Sequence, residues 1–116
     1  MQTVAEPSVI PALLQAFITR HMDPHYSRLV VKQVKTNGAR TVYHVYLGGV
    51  TSRFCGNVQM EHASNGIYIE VTPRGASQRC WDPSNERSPS HGRTCPEWAS
   101  ERVPLPQEIM EALFAA

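Results

Sequence analysis

The chain lacks most of the features that would assign it at a glance. Its three cysteines are an odd number and cannot make a disulfide framework. No basic stretch followed by an apolar one opens the sequence, and no segment reaches the length needed to span a bilayer. These absences lead to the expectation of an intracellular, reduced protein with no membrane partner. In that setting clustered Cys and His indicate a metal more often than a disulfide. Internal repeats are missing, as are a linker between two domains and any compact C-x-x-C pair. Between Arg74 and Arg102 there is no lysine, although Arg79, Arg87 and Arg93 fall in that interval.

What is present is enough for one small folded domain over residues 1–116. Hydrophobic residues make up 41% and charged residues 18%, proportions of a globular chain and not of a disordered one. A chain of 116 residues buries a modest core, so a structural metal would add to it. Ile10, Leu13, Leu14, Phe17 and Ile18 recur at helical spacing, with Ser8 as the expected cap and Pro11 in the first turn. Two β-rich runs, 29–35 and 40–47, flank Asn37-Gly38, a hairpin signal. Gly48-Gly49 should break the second run, with 50–54 extending it as a bent strand or forming a third one.

A second hairpin is expected from the alternation of Gly66-Ile-Tyr-Ile-Glu-Val-Thr72 and the turn Thr72-Pro-Arg-Gly75. Closing that turn sets Ile67 opposite Cys80 and Tyr68 opposite Arg79, and it brings His62 and Cys80 to one end of the sheet. Residues 81–96 read as a long loop. Pro106 suits the start of a last helix, which Ile109 with Leu113 and Met110 with Phe114 would dock. The expected fold class is α+β: a small antiparallel sheet of hairpins with a zinc knot, flanked by an N-terminal and a C-terminal helix.

Cys55, His62, Cys80 and Cys95 are the candidate ligands. Three thiolates and an imidazole are a usual composition for a closed tetrahedral zinc site, which makes Zn2+ the expected cofactor. The fourth position is open, because His91 lies in the same loop as Cys95 and Asp82 offers an oxygen. His21, His25 and His44 read as a helix end, a loop and a strand position.

The string Cys55-x-Asn57-x-x-x-x-His62-x-Ser64-Asn65, followed by Gln78-Arg-Cys-Trp-Asp-Pro83, resembles the zinc-binding C-terminal module of PrimPol and herpesvirus-type primases, of the archaeo-eukaryotic primase superfamily. The segment Val103-Pro-Leu-Pro-Gln-Glu-Ile109 is also similar to that family, so the likeness covers about residues 53–110. It implies that Cys55, His62 and Cys80 are the first three ligands. The sequence departs at the fourth, since Ser84-Asn85 stands where the family has its next cysteine and Cys95 follows an insertion. The arginine common between the first Cys and the His is absent too, with Gln59, Met60 and Glu61 in its place.

The resemblance implies a module that is not catalytic by itself. It would engage single-stranded template DNA or the 5′-triphosphate of the initiating nucleotide, beside a catalytic palm supplied in cis or in trans. A nuclear location would follow for a eukaryotic or viral origin. The expected nucleic-acid contacts are Arg74, Arg79, Arg87, Arg93, Asn57, Asn65, Gln78 and Trp81, because guanidinium groups pair with phosphate and an exposed indole stacks on bases. Two other classes fit the residues. One is a zinc-stabilised protein-interaction adaptor. The other is a His-Cys-type metal-dependent nuclease, which needs His62 free to act as general base.

Overall fold

The structure is a computed structural model that describes residues 2–4, 9–49, 52–62, 66–81 and 87–114. In chain order these form β1 (Gln2–Thr3), α1 (Ile10–His21), a 3-10 turn at Pro24–Tyr26, β2 (Leu29–Thr36) and β3 (Tyr43–Gly49). There follow β4 (Phe54–Cys55), β5 (Met60–Glu61), β6 (Ile67–Thr72), β7 (Gly75–Cys80) and α2 (Gln107–Phe114). The class is α+β. A five-stranded antiparallel sheet in the order β1-β2-β3-β6-β7 carries the two helices, and β4 and β5 make a separate small hairpin.

The apolar stripe of α1 buries Ile10, Leu14, Phe17 and Ile18 against Leu29, Val34, Val45, Ile69 and Val71 of the sheet. Ile109 and Leu113 of α2 join the same core. The Tyr43 hydroxyl donates to the Leu113 carbonyl at 2.9 Å, which satisfies one of the acceptors a helix leaves open at its C-terminal end. Gln15 of α1 accepts the Val31 N–H at 3.1 Å, at the point where β2 slips register between Val31 and Gln33. A bulge that would strand a backbone donor is thus stitched to the helix above it.

Several local expectations are corrected. The cap position of α1 is Val9, which makes no side-chain cap bond, and Ser8 lies outside the described residues. The Asn37-Gly38 hairpin forms, but with a longer loop. The Asn37 carboxamide oxygen accepts the N–H groups of Thr41 and Val42, and Arg40 takes the left-handed conformation at φ 55°. This Asx arrangement delays the start of β3 to Tyr43. Gly48 and Gly49 do not break β3, because both remain paired with β2. Of the two alternatives for 50–54, Phe54 falls in a separate strand, β4, and not in a bent extension of β3, while residues 50 and 51 lie outside the described residues.

The second hairpin has the expected register throughout, from Ile67 opposite Cys80 to Thr72 opposite Gly75. Gly75 is required at its position. Its φ is +127°, and a Cβ there would meet the Val103 carbonyl oxygen at 2.5 Å. That close approach lets residues 99–103 cover the edge of β7 through bridges at Ala76–Val103 and Arg79–Ala99. Side chains alternate along β7, so Ala76, Gln78 and Cys80 face the core while Arg79 points outward, and Trp81 continues that outward row.

Candidate metal centre

Cys55, His62, Cys80 and Cys95 converge at one end of the core, with their ligand atoms all within 4.8 Å of one another. The Cys55 and Cys95 Sγ atoms are 3.9 Å apart, and His62 Nε2 lies 3.7 Å from Cys95 Sγ and 3.1 Å from Cys80 Sγ. A tetrahedral zinc ion with ordinary bond lengths requires S–S edges of about 3.8 Å and S–N edges of about 3.6 Å. The three cysteines are free thiols and fully or nearly buried. The group is therefore a Cys3His set of a kind that holds a metal, and its soft donors suit zinc.

Each ligand is placed by a different device. Cys55 ends β4 and begins a turn closed by the Gln59 N–H on the Cys55 carbonyl at 2.7 Å, with Gln59 at φ 58°. The chain then pairs back through β5, and the His62 N–H reaches the Arg53 carbonyl at 3.0 Å. A spacing of six residues, loose for a knuckle, is thus closed by hairpin pairing. Cys80 is the last residue of β7. Cys95 sits in a single turn, Thr94-Cys-Pro-Glu97, in which the Glu97 carboxylate accepts from both the N–H and the hydroxyl of Thr94. Those bonds hold the Glu97 carboxyl below its usual range.

Two buried amides bind these parts together. Gln78 accepts the Gly56 N–H at 2.8 Å and donates to the Phe54 carbonyl at 2.9 Å, gripping the chain on both sides of Cys55. Asn57 donates to the Arg93 carbonyl at 3.0 Å and to Cys95 Sγ at 3.5 Å, and it accepts from the Ser88 hydroxyl at 2.8 Å. It therefore ties the Cys55 turn to the loop that carries Cys95. Trp98 packs so closely over Gly56 that a Cβ there would meet its ring at 2.7 Å.

The electrostatics are those of a site built for a cation. A hydrogen bond from Cys80 lowers the Cys55 thiol pKa to about 5. Burial opposes the shift, and the Val58 and Asn57 N–H groups and His62 add to it. Burial and the neighbouring Cys55 charge push Cys95 the other way. One thiolate forms readily and the next resists, and a divalent ion removes that conflict by supplying the missing positive charge.

The remaining expected residues are dispersed. His91 is outside the ligand group, and its Nδ1 meets the Asn57 carbonyl at 3.1 Å, so the open choice for the fourth position falls to Cys95. Asp82 and Asn65 lie outside the described residues. Asn57 and Gln78 were expected at a nucleic-acid surface, but both are buried and committed to the bonds above, so their side chains do not reach it. Arg87 is exposed and donates to the Gly92 carbonyl, and Arg93 is exposed in the same loop. Arg74 stands at the far turn, the length of β7 away from Cys80, about 17 Å.

Arg79 reaches Glu70 at 3.8 Å and the Pro96 carbonyl at 3.3 Å. Trp81, 46% exposed, stacks on Tyr68 and Tyr46 on the outer face of the sheet. Tyr68 lies opposite Arg79 as expected, while Tyr46 beside it and the clamp role of Gln78 escaped the sequence. The outward positions of Tyr43-His-Val-Tyr-Leu47 were the available signal, but a run with polar and aromatic residues on alternate sides does not say which side is buried. Among the described residues no helix is long and apolar enough to cross a membrane. No protein-family model, curated protein or solved structure matches the chain.

Proposed function

We propose that this chain is a zinc-binding module that engages single-stranded nucleic acid, or the 5′-triphosphate of an initiating nucleotide, during DNA priming, and that it contributes no catalysis of its own. The observation that carries the reading is the position of Cys80. It faces the metal cluster from the end of β7, while Arg79 before it and Trp81 after it face outward. A metal held by Cys55, His62, Cys80 and Cys95 would supply structural cross-linking, fixing the strand end from which a guanidinium and an indole project.

Further support comes from the resemblance of residues 53–110 to the zinc module of PrimPol-type primases. The exposed Arg87 and Arg93 near the cluster add positive charge. His62 lies against Cys80 and Cys95, a placement that favours a ligand role over that of the free base a nuclease needs. A catalytic palm, in cis or in trans, would provide the chemistry.

The test is binding of a 5′-triphosphorylated single strand at several salt concentrations, with bound zinc measured on the same samples. Binding should weaken steeply as salt rises, and Arg79→Ala should reduce both affinity and the salt slope while zinc content stays constant. Binding that is indifferent to salt and to Arg79→Ala would refute this reading, and would leave the protein-adaptor class as the better account.

A further inference from the structure

The outer face of the sheet carries an aromatic patch. Tyr46 of β3 lies opposite Tyr68 of β6, and both rings meet Trp81, Tyr68 at 4.2 Å between centroids and Tyr46 at 5.9 Å with planes only 10° apart. His44 extends the row, 4.8 Å from Tyr68, and burial holds its pKa below the ordinary value so that it stays neutral at neutral pH. Large aromatics grouped on an outer sheet face, with half of Trp81 in water, are not explained by the core, which lies on the opposite side.

The charges around this patch are mostly positive. The Lys35 ammonium stands 5.6 Å from the centre of the Tyr46 ring. Lys32 lies along the surface beside it, and Gly48 is what makes room, since a Cβ there would meet the Lys32 stem at 2.6 Å. Arg79 flanks Tyr68 on the other side. The acidic residue on this face among those described is Glu70, and it is already engaged by Arg102 at 2.9 Å and Arg79 at 3.8 Å.

We infer that Tyr46, Tyr68 and Trp81 form a stacking platform for the bases of a single strand, with Lys32, Lys35 and Arg79 taking its phosphates. The flat π-face of the 46% exposed Trp81, flanked by the partly buried tyrosines, accepts any base, and cations spaced on both sides of the row match a backbone running across the sheet. Charge complementarity selects a polyanion over an apolar protein partner for this face. The inference rests on the nucleic-acid reading above and deepens it, because it puts base contact on the sheet face and not on the loop around the metal.

The experiment uses the zinc-loaded chain and 5′-hydroxyl strands of about ten nucleotides, one oligothymidylate and one of abasic sites with the same charge. Thymidylate should bind about tenfold or more tightly than the abasic strand and quench Trp81 emission. Tyr68→Leu should remove most of that difference, with abasic binding and zinc content unchanged. Equal binding of the two strands by the wild-type protein would overturn the platform, and that comparison needs no variant.

A parallel strand with a 5′-triphosphate separates this failure from failure of the priming role. Tighter binding from the triphosphate without any base dependence would sink the platform and keep that role. Base dependence without a triphosphate effect would do the reverse, and the absence of binding to every strand would sink both.

Discussion

The two faces of β7 differ in kind. Inward, Ala76, Gln78 and Cys80 meet a close-packed core and a cluster of sulfur and nitrogen donors. Outward, Arg79 and then Trp81 meet rings, charge and water. Neighbouring residues in one short strand therefore belong to different kinds of chemistry, separated only by the pleat. The inner row cannot change without disturbing structure, whereas the half-exposed Trp81 of the outer row can change with little effect on it.

The inner position is the more sensitive of the two. Cys80→Ser should lose the bound metal and destabilise the domain by on the order of 5 kcal/mol or more, read as loss of zinc with a large fall in Tm. Acid should act in the same direction. Because the Cys55 pKa is lowered from its ordinary 9.0 to about 5, its ionisation stabilises the fold fully above pH 9. That contribution shrinks as pH falls and is gone below about 5. Metal retention titrated downward in pH should therefore fail on the acid side, and equal retention at acid and neutral pH would count against the assignment.

Gln78→Ala is the intermediate case. It leaves the buried Gly56 N–H and Phe54 carbonyl without their partner and frees the backbone on both sides of Cys55. A cost of about 1–3 kcal/mol is expected in denaturant unfolding, along with zinc affinity weaker by about tenfold or more in a competition titration. Trp81→Ala sharpens the contrast from the outside. It should change stability by less than about 1 kcal/mol and leave zinc affinity unaltered, measured by the same two assays.

Much of this arrangement could be read from the sequence where local chemistry decides it. The α1 stripe from Ile10 to Ile18 and the Pro73-Arg74 turn gave the helix and the exact pairing of β6 with β7, because periodicity and turn residues act over a few positions. His62 and Cys80 were legible in part for the same reason, as the β6–β7 hairpin sets Cys80 at the sheet end near His62, while Cys55 rested on its residue type and on the family resemblance. Cys95 was harder. Its approach depends on Asn57 bridging to Arg93 across the fold, a contact that spacing does not reveal.

The Thr94-Cys-Pro-Glu97 pairing was a local signal for the turn that presents Cys95, but it says nothing of where that turn docks. Asn57 and Gln78 show the opposite failure. Polar residues near a site suggest contact with a ligand, yet a buried amide is also a common way to secure a ligand's backbone. The aromatic row was hidden because Tyr46 and Tyr68 are far apart in the chain and become neighbours only when β3 pairs with β6.

The most direct measurement is zinc stoichiometry by elemental analysis on the purified chain, combined with thermal unfolding before and after a chelator. The account predicts about one zinc per chain, removed by the chelator together with a marked fall in Tm, and neither zinc nor the chelator effect in Cys95→Ser. A chain that carries no zinc and takes none up, or one whose Tm is the same with and without the chelator, would contradict it.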